Sequence, residues 1–213
     1  MHRHERLLAF VMGVSFLGFY IVLACVFTGL TQTTDQWVSL HIQAWWSPAV
    51  TQAMLWVTDL GRPLVLGGIA VAVGIILLVR KRWFAAIPAL MGVAGGAFLV
   101  LPIKELVHRP RPETGLLTVS GYSFPSDHAT VAALFFGFLL CLFIPGRKPG
   151  ALKWLLIAFS IAGIVLISFT RLYLDVHWLS DILGGWLFGL GWLCASLLLA
   201  DVLQTRSSRD KEP

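Results

Sequence analysis

The chain has 213 residues, of which 57% are hydrophobic and only 13% are charged, and its mean hydropathy is +0.81. These values exclude a soluble globular domain of this size and indicate a protein embedded in a lipid bilayer. A net charge of +5 is compatible with nucleic-acid binding, but the positions of the basic residues, described below, argue against a nucleic-acid partner.

Six apolar stretches along the chain are each long enough to cross about 30 Å of hydrocarbon as a helix, at about 1.5 Å per residue. Peptide groups find no water in hydrocarbon, so each stretch is predicted to be a helix. The predicted fold class is all-α, with one integral membrane bundle over 1–203 and a disordered polar tail over 204–213. The predicted spans are residues 7–29, 63–79, 84–103, 128–145, 152–170 and 178–200.

Lysine and arginine residues are distributed unequally between the two sides of this predicted bundle. Eleven of the 16 lie near the chain termini and in alternate loops, which the positive-inside rule assigns to the cytoplasm. Both termini are therefore predicted to be cytoplasmic, in a multi-pass protein of the cell (inner) membrane. The loops around 31–62, 104–127 and 171–177 are predicted to face the periplasm or the exterior. The eleven are Arg3, Arg6, Arg80, Lys81, Arg82, Arg147, Lys148, Lys153, Arg206, Arg209 and Lys211.

The connection between the first two spans, residues 31–62, is rich in tryptophan and carries apolar residues at helical spacing. Tryptophan is typical of the membrane interface, where its ring is buried and its N–H stays hydrated. We therefore predict one or two short interfacial helices on the outer leaflet, broken near Ser47-Pro48.

Small residues inside the predicted spans are interpreted as packing features. Cys25, Cys141 and Cys194 are expected to be buried apolar residues rather than a disulfide framework or a metal site. Glycines in the third and sixth spans are expected to allow close helix approach. These glycines are Gly92, Gly95, Gly96, Gly184, Gly185, Gly189 and Gly191.

Ionisable residues at membrane depth are costly, so each one marks a candidate functional site. In this chain they occur in three segments: residues 104–112 (KELVHRPRP), 125–128 (PSDH) and 170–181 (TRLYLDVHWLSD). The predicted topology places all three at similar depth on the outer side of the membrane. We therefore expect them to form one site.

The residue types in these segments indicate an anion-binding site. Lys104, Arg111 and Arg171 would supply three cations with many N–H donors, which match the oxygens of a phosphoryl group. Ser126 and the free backbone N–H groups at the start of the fourth helix, that of Asp127 included, would add further donors beside the positive end of the helix dipole.

Two histidines in these segments are candidates for the chemical steps. His177 and Asp181 are spaced i, i+4 and are predicted to share a face of the sixth helix, so that the carboxylate keeps one ring nitrogen protonated and leaves the other free to attack. His128 is then the candidate acid for the departing oxygen, and later the base that activates water. Three adjacent cations would repel a divalent ion, so no metal and no other cofactor are expected.

The three segments resemble the signature of the type 2 phosphatidic acid phosphatase family. Lys104 with Arg111-Pro112 fits its Lys-x6-Arg-Pro motif, residues 125–128 fit Pro-Ser-Gly-His, and residues 170–181 fit Ser-Arg-x5-His-x3-Asp. The resemblance implies that His177 becomes phosphorylated, that Asp181 orients it and that His128 is the acid and base. It also implies that Lys104, Arg111, Ser126 and Arg171 hold the phosphate.

The resemblance further implies a substrate among membrane lipid phosphates, namely undecaprenyl diphosphate, phosphatidylglycerol phosphate or phosphatidic acid. Of these we favour undecaprenyl diphosphate, because the predicted site faces outward. Two alternatives stay open, namely a transferase that passes the phosphate to an acceptor lipid and a lipid-binding or transport protein without chemistry. The residues do not indicate an oligomeric state.

Two positions depart from the family signature. Asp127 replaces glycine and Thr170 replaces serine. Thr170 keeps the hydroxyl, whereas a carboxylate at Asp127 would weaken phosphate binding unless it turns away or pairs with a cation. Four nearby residues, Glu105, His108, Arg109 and Asp175, are expected to be structural or to face lipid head groups.

Overall fold

The structure is a computed structural model that describes residues 3–144, 148 and 150–209. All regular secondary structure in these residues is helical, which confirms the predicted all-α class. The helices are α1 Arg3–Phe27, α2 Gln32–Gln43, α3 Pro48–Leu60, α4 Pro63–Val79, α5 Trp83–Ile87, α6 Gly96–Val107, α7 Asp127–Phe143, α8 Ala151–Tyr173 and α9 Leu179–Arg209, with a π-helical segment Pro88–Gly95 between α5 and α6.

Five stretches of helix are long and apolar enough to cross a membrane: Arg3–Phe27, Pro48–Val79, Trp83–Val107, Ala151–Tyr173 and Leu179–Ser208. The prediction of a multi-pass membrane protein is therefore confirmed. Helix α7 is also apolar but is shorter, with 17 residues. The number of six spans stays a prediction.

The connection between the first and second predicted spans forms two short helices, α2 and α3, as predicted. Ser47 begins α3 because its side chain accepts a hydrogen bond from the backbone N–H of Val50, and Pro48 follows at a position where a helix needs no N–H donor. Helix α2 is amphipathic and buries Asp35, which is only 2% exposed. A buried carboxylate in this helix requires a charged or hydrogen-bonding partner.

Helix α7 lies at the centre of the bundle, with ten of its 17 residues buried. It packs against α4, α6, α8, α9 and the π-helical segment. The approach of α9 is close because α9 presents glycines to α7. A Cβ atom added at Gly185 would lie 2.8 Å from the carbonyl oxygen of Ser126, and one at Gly189 would lie 2.8 Å from that of Thr130. The expected role of these glycines in close packing is confirmed, and the contact brings the first turns of α7 and α9 together.

Two local predictions are wrong. Helix α9 continues to Arg209, so residues 204–209 of the predicted disordered tail are helical, because extending a helix that has already formed is inexpensive. Residues 210–213 lie outside the described part of the chain. Cys194 is buried and Cys25 is partly buried, but Cys141 is exposed, because it lies near the end of α7, beyond the buried residues of that helix. All three cysteines are free.

Candidate active site

His177 and Asp181 are in contact at the beginning of α9. The Nδ1 atom of His177 lies 3.3 Å from Oδ2 of Asp181, and both side chains are fully buried. The prediction that both lie on the helix is wrong for His177, since α9 begins at Leu179. The contact forms through a turn instead: the Asp181 carboxylate accepts the backbone N–H of Trp178 at 2.9 Å, and the backbone N–H of Asp181 donates to the carbonyl of Trp178.

Arg111 determines which nitrogen of His177 carries a proton. Its Nη1 lies 3.0 Å from Nε2 of His177, and a guanidinium can only donate. Nε2 is therefore the acceptor and carries a lone pair, while Nδ1–H donates to Asp181. Burial lowers the pKa of Arg111 from its ordinary value, and the carboxylates of Asp127 and Asp181 act in the opposite direction.

Asp127 lies between the two histidines. Its Oδ1 atom is 3.6 Å from Nε2 of His177 and 3.5 Å from Nδ1 of His128. Because both distances end on the same oxygen, the two ring nitrogens are at most about 7 Å apart. The Asp127 carboxylate thus occupies the space in front of Nε2 of His177 instead of turning away. The backbone of Asp127 is helical with a negative φ, so a glycine is not required at this position for its conformation.

Ser126 is the N-cap of α7 and is fully buried. Its hydroxyl accepts the backbone N–H of Ala129 at 3.4 Å, and its own backbone N–H donates to the carbonyl of Asp181 at 3.0 Å. The second bond joins the start of α7 directly to the start of α9. The hydroxyl hydrogen of Ser126 remains a donor beside the helix N-terminus.

Lys104 and Arg111 are neighbours through a shared acceptor. The Nζ atom of Lys104 and the Nη2 atom of Arg111 both donate to the carbonyl oxygen of Tyr122, at 2.9 Å and 3.0 Å. Lys104 is only 7% exposed. The two cations predicted from the first segment therefore lie together beside His177.

Arg171 approaches the site from the end of α8. Its Nη1 donates to the hydroxyl of Thr58 at 2.7 Å, and the side chain is buried. Its Nε is a buried donor without a partner among the described residues. An unsatisfied donor on a buried cation costs free energy, and an anion at this position would supply the missing acceptor.

A cleft of about 420 Å³ opens onto these groups. It is lined by Asp127, His128 and Arg171 on one side, by the corner between α3 and α4 on another, and by Leu117 and Val119 of the loop before α7. His177 lies behind Asp127 and is only 2% exposed. All eight residues predicted from the three segments thus lie around one site: Lys104, Arg111, Ser126, Asp127, His128, Arg171, His177 and Asp181.

The structure adds a second layer of contacts that the sequence did not reveal. Arg109 donates through Nη1 to Asp181 at 2.6 Å and through Nη2 to Asp35 of α2 at 2.7 Å. Asp35 in turn accepts the backbone N–H and the hydroxyl of Ser180. The expected structural role of Arg109 therefore takes a specific form, because this side chain joins α2 to Asp181. The sequence did contain one signal of this contact: Asp35 is an ionisable residue in a predicted interfacial helix, and such a residue needs a partner.

Asp175 is likewise structural in its contacts. It is buried, and its carboxylate accepts hydrogen bonds from Ser39 and Gln43 of α2 and from Thr114. These bonds connect α2 to the turn that precedes His177. The side chains of Glu105 and His108 are exposed.

The geometry agrees with similarity to known proteins. The chain is 29% identical over 178 residues to phosphatidylglycerophosphatase B of Bacillus subtilis, a match that covers 82% of this chain and 87% of that protein. The crystal structure of a transmembrane PAP2 type phosphatidylglycerolphosphate phosphatase from Bacillus subtilis matches with a TM-score of 0.72 and 27% identity, over 92% of this chain and 96% of that one.

Two further relatives match over shorter regions. An undecaprenyl-diphosphatase of Sulfolobus acidocaldarius is 39% identical over 68 residues, which is 32% of this chain and 29% of that protein. A lipid A 4'-phosphatase of Bacteroides thetaiotaomicron is 37% identical over 94 residues, which is 43% of this chain and 36% of that protein. The model of the PAP2 superfamily matches residues 85–204, more than half of the chain and a range that contains all three segments. On the family match and the similarity in sequence and structure, this chain belongs to the PAP2 superfamily.

Proposed function

We propose that this chain is a membrane lipid phosphatase that hydrolyses the terminal phosphate of a lipid phosphate or diphosphate through a phosphohistidine at His177. The observation that carries the proposal is the state of the His177 ring. Asp181 holds its Nδ1–H at 3.3 Å, while Nε2 keeps its lone pair beside Arg111 and directly behind Asp127, which lines the cleft together with His128 and Arg171. Such a nitrogen is oriented to attack phosphorus.

The first half of the reaction transfers the phosphoryl group to the enzyme. Nε2 of His177 attacks phosphorus, the bond from phosphorus to the lipid oxygen breaks, and protonated His128 gives its proton to that oxygen. Asp181 stabilises the positive charge that develops on the His177 ring. Before this step Asp127 turns away from Nε2, and Arg111 moves its hydrogen bond from Nε2 to a phosphoryl oxygen.

The second half returns the enzyme to its starting state. His128, now neutral, takes a proton from a water molecule, whose oxygen attacks phosphorus as the bond to Nε2 breaks. Inorganic phosphate leaves, and His177 and His128 regain their initial protonation. In both halves Lys104, Arg111 and Arg171 offset the charge on the three phosphoryl oxygens, with the Ser126 hydroxyl and the N-terminus of α7 as further donors.

The names of the relatives support two substrate classes. Similarity along most of the chain to a phosphatidylglycerophosphatase supports phosphatidylglycerol phosphate, and the shorter match to an undecaprenyl-diphosphatase supports undecaprenyl diphosphate. We further propose that the site faces the periplasm or the exterior, with both termini in the cytoplasm, because the loops that form it carry few of the lysines and arginines.

The test is phosphate release by the purified protein from a panel of lipid phosphates in mixed micelles. We expect turnover by the wild-type protein and a loss of at least about a thousandfold in kcat for His177→Ala, because the nucleophile is removed. The matched control is His41→Ala, an exposed histidine of α2. Activity in His177→Ala equal to wild type would refute the phosphohistidine at His177, whereas no release from any lipid would refute the hydrolase.

The absence of a metal requirement is a separate prediction from the same chemistry. Because three protein cations lie beside the phosphate position, we expect full turnover after incubation with EDTA. Loss of activity in EDTA that zinc or magnesium restores would contradict the proposed mechanism. Labelled phosphate that moves to a lipid, with none released, would instead identify a transferase.

A further inference from the structure

One cation in the cleft has no part in the proposed reaction. Arg62 lies in the corner between α3 and α4 and lines the same cleft of about 420 Å³ as His128 and Arg171, with 62% of its side chain exposed. Building on the function proposed above, we propose that Arg62 binds a second phosphoryl group, the one that stays with the lipid after hydrolysis. The preferred substrate is then a lipid with two phosphoryl groups rather than a lipid monophosphate.

The corner that carries Arg62 is held against α8 at two points. The hydroxyl of Thr58 accepts the bond from Nη1 of Arg171 at 2.7 Å, and both side chains are buried. Gly61 packs on Ile167, since a Cβ atom added there would lie 2.6 Å from Cγ2 of that residue. Arg62 follows Gly61 directly and is the N-cap of α4, and its backbone N–H donates to the carbonyl of Asp59 at 3.3 Å. The position of its backbone relative to α8 and Arg171 is therefore determined by packing.

The guanidinium of Arg62 has donors available for an anion. Its Nε and Nη2 contact Oδ1 of Asp59 at 3.0 Å and 2.8 Å, and among the described residues Nη1 has no hydrogen-bond partner. Asp59 is itself 57% exposed, and an exposed ion pair of this kind is weak. A phosphoryl group can therefore take the free donor and compete with Asp59 for the others, in the two-point geometry that arginine provides.

The apolar lining of the cleft indicates the direction of the lipid tail. Leu64, which is 87% exposed, follows directly after the corner, and Leu117 and Val119 face it from the loop before α7. With the terminal phosphate at His177 and the tail leaving past Leu64, the lipid-side phosphate lies next to Arg62. A lipid monophosphate has no charged group to place there.

The experiment compares pairs of substrates that share a tail and in which one member has two phosphoryl groups and the other has one; in the glycerolipid pair the second phosphoryl group is attached through a glycerol. The pairs are a polyprenyl diphosphate with its monophosphate, and phosphatidylglycerol phosphate with phosphatidic acid. For Arg62→Ala we expect the ratio of kcat/KM between two-phosphate and one-phosphate substrates to fall about tenfold in at least one pair, as expected for a lost charged hydrogen bond. Arg62→Lys should fall between this variant and wild type, and Asp59→Asn should raise the ratio.

The matched control is Arg80→Ala, an exposed arginine at the other end of α4, which should leave both ratios unchanged. Because both substrates are measured on one preparation, the ratio does not depend on the folded fraction of a variant. An equal loss on both members of each pair, or no loss, would overturn the role of Arg62. If the wild-type protein hydrolyses none of the four lipids, the proposed function fails instead. A selective loss in the polyprenyl pair alone identifies two adjacent phosphates as the ligand, and a selective loss in the glycerolipid pair alone identifies two phosphates separated by glycerol.

Discussion

At the scale of single residues, Asp127 has the largest consequence for anion binding. Its carboxylate lies 3.6 Å from Nε2 of His177, in the position that a phosphoryl group would take, and its side chain is 37% exposed to the cleft. A negative charge there repels an anion and also shields the nucleophile. Rotation of the partly exposed side chain away from His177 would uncover Nε2, and we expect phosphate or its analogues to bind there only after such a rotation.

Replacing Asp127 by Asn tests this competition, because the side chain keeps its size and loses its charge. We expect the inhibition constant for orthovanadate to fall about fivefold, which corresponds to about 1 kcal/mol of repulsion between like charges at a partly exposed site. The measurement is inhibition of phosphate release by increasing vanadate. Glu113→Gln, an exposed carboxylate in the preceding loop, is the control and should leave the constant unchanged. A higher constant in Asp127→Asn would show that the carboxylate assists anion binding.

At the scale of helices, the site depends on the contact between α7 and α9. The N-terminus of α7 carries Ser126 and His128, while the beginning of α9 carries Asp181, and the backbone N–H of Ser126 donates to the Asp181 carbonyl. Gly185 makes this approach possible, because an added Cβ would lie 2.8 Å from the Ser126 oxygen and 3.1 Å from the Thr130 nitrogen. These are backbone atoms, which cannot rotate out of the way.

We therefore predict that Gly185→Ala separates the two helix ends. The expected result is a destabilisation of about 1–3 kcal/mol, as for overpacked cores, together with a loss of at least about tenfold in kcat. Thermal unfolding in detergent and phosphate release measure the two effects. Gly68→Ala is the control, since this exposed glycine of α4 has no heavy atom within 4 Å of an added Cβ. Equal behaviour of the two variants would show that α7 and α9 tolerate a wider spacing.

At the scale of the whole molecule, the arrangement of basic residues predicts which end of the bundle faces the cytoplasm. The corner around Arg80, Lys81 and Arg82 connects α4 to α5, whereas the loop before α7 lies at the end that carries the site. The positive-inside rule assigns the first to the cytoplasm and the second to the opposite side.

Single cysteines introduced into a cysteine-free variant test this orientation. In intact cells, or spheroplasts where an outer membrane is present, we expect a membrane-impermeant thiol reagent to label Leu116→Cys in the loop before α7. Arg82→Cys should react only after the membrane is permeabilised. Both positions are exposed, so a difference in labelling reports the side of the membrane. The reverse pattern would place the site in the cytoplasm.

Much of the fold and of the site follows from local properties of the sequence. Hydropathy predicts membrane helices because hydrocarbon offers no partner to peptide groups. The break at Ser47-Pro48 predicts α2 and α3 because capping and proline geometry act within a few residues. The segments that contain Lys104, Ser126 and His177 share one end of the bundle because each lies at a comparable end of a predicted span.

Other features depend on packing between distant segments, and the sequence did not determine them. The carboxylate of Asp127 lies between two histidines because α9 packs against α7, which no local pattern encodes. Arg109 reaches both Asp35 and Asp181 only once α2 and α9 are docked. The sequence alone thus determined the helices and which ionisable residues lie at one end of the bundle, since hydration and backbone hydrogen bonding act locally. Only the tertiary structure decided which of those charges touch, because side-chain contacts depend on helix packing.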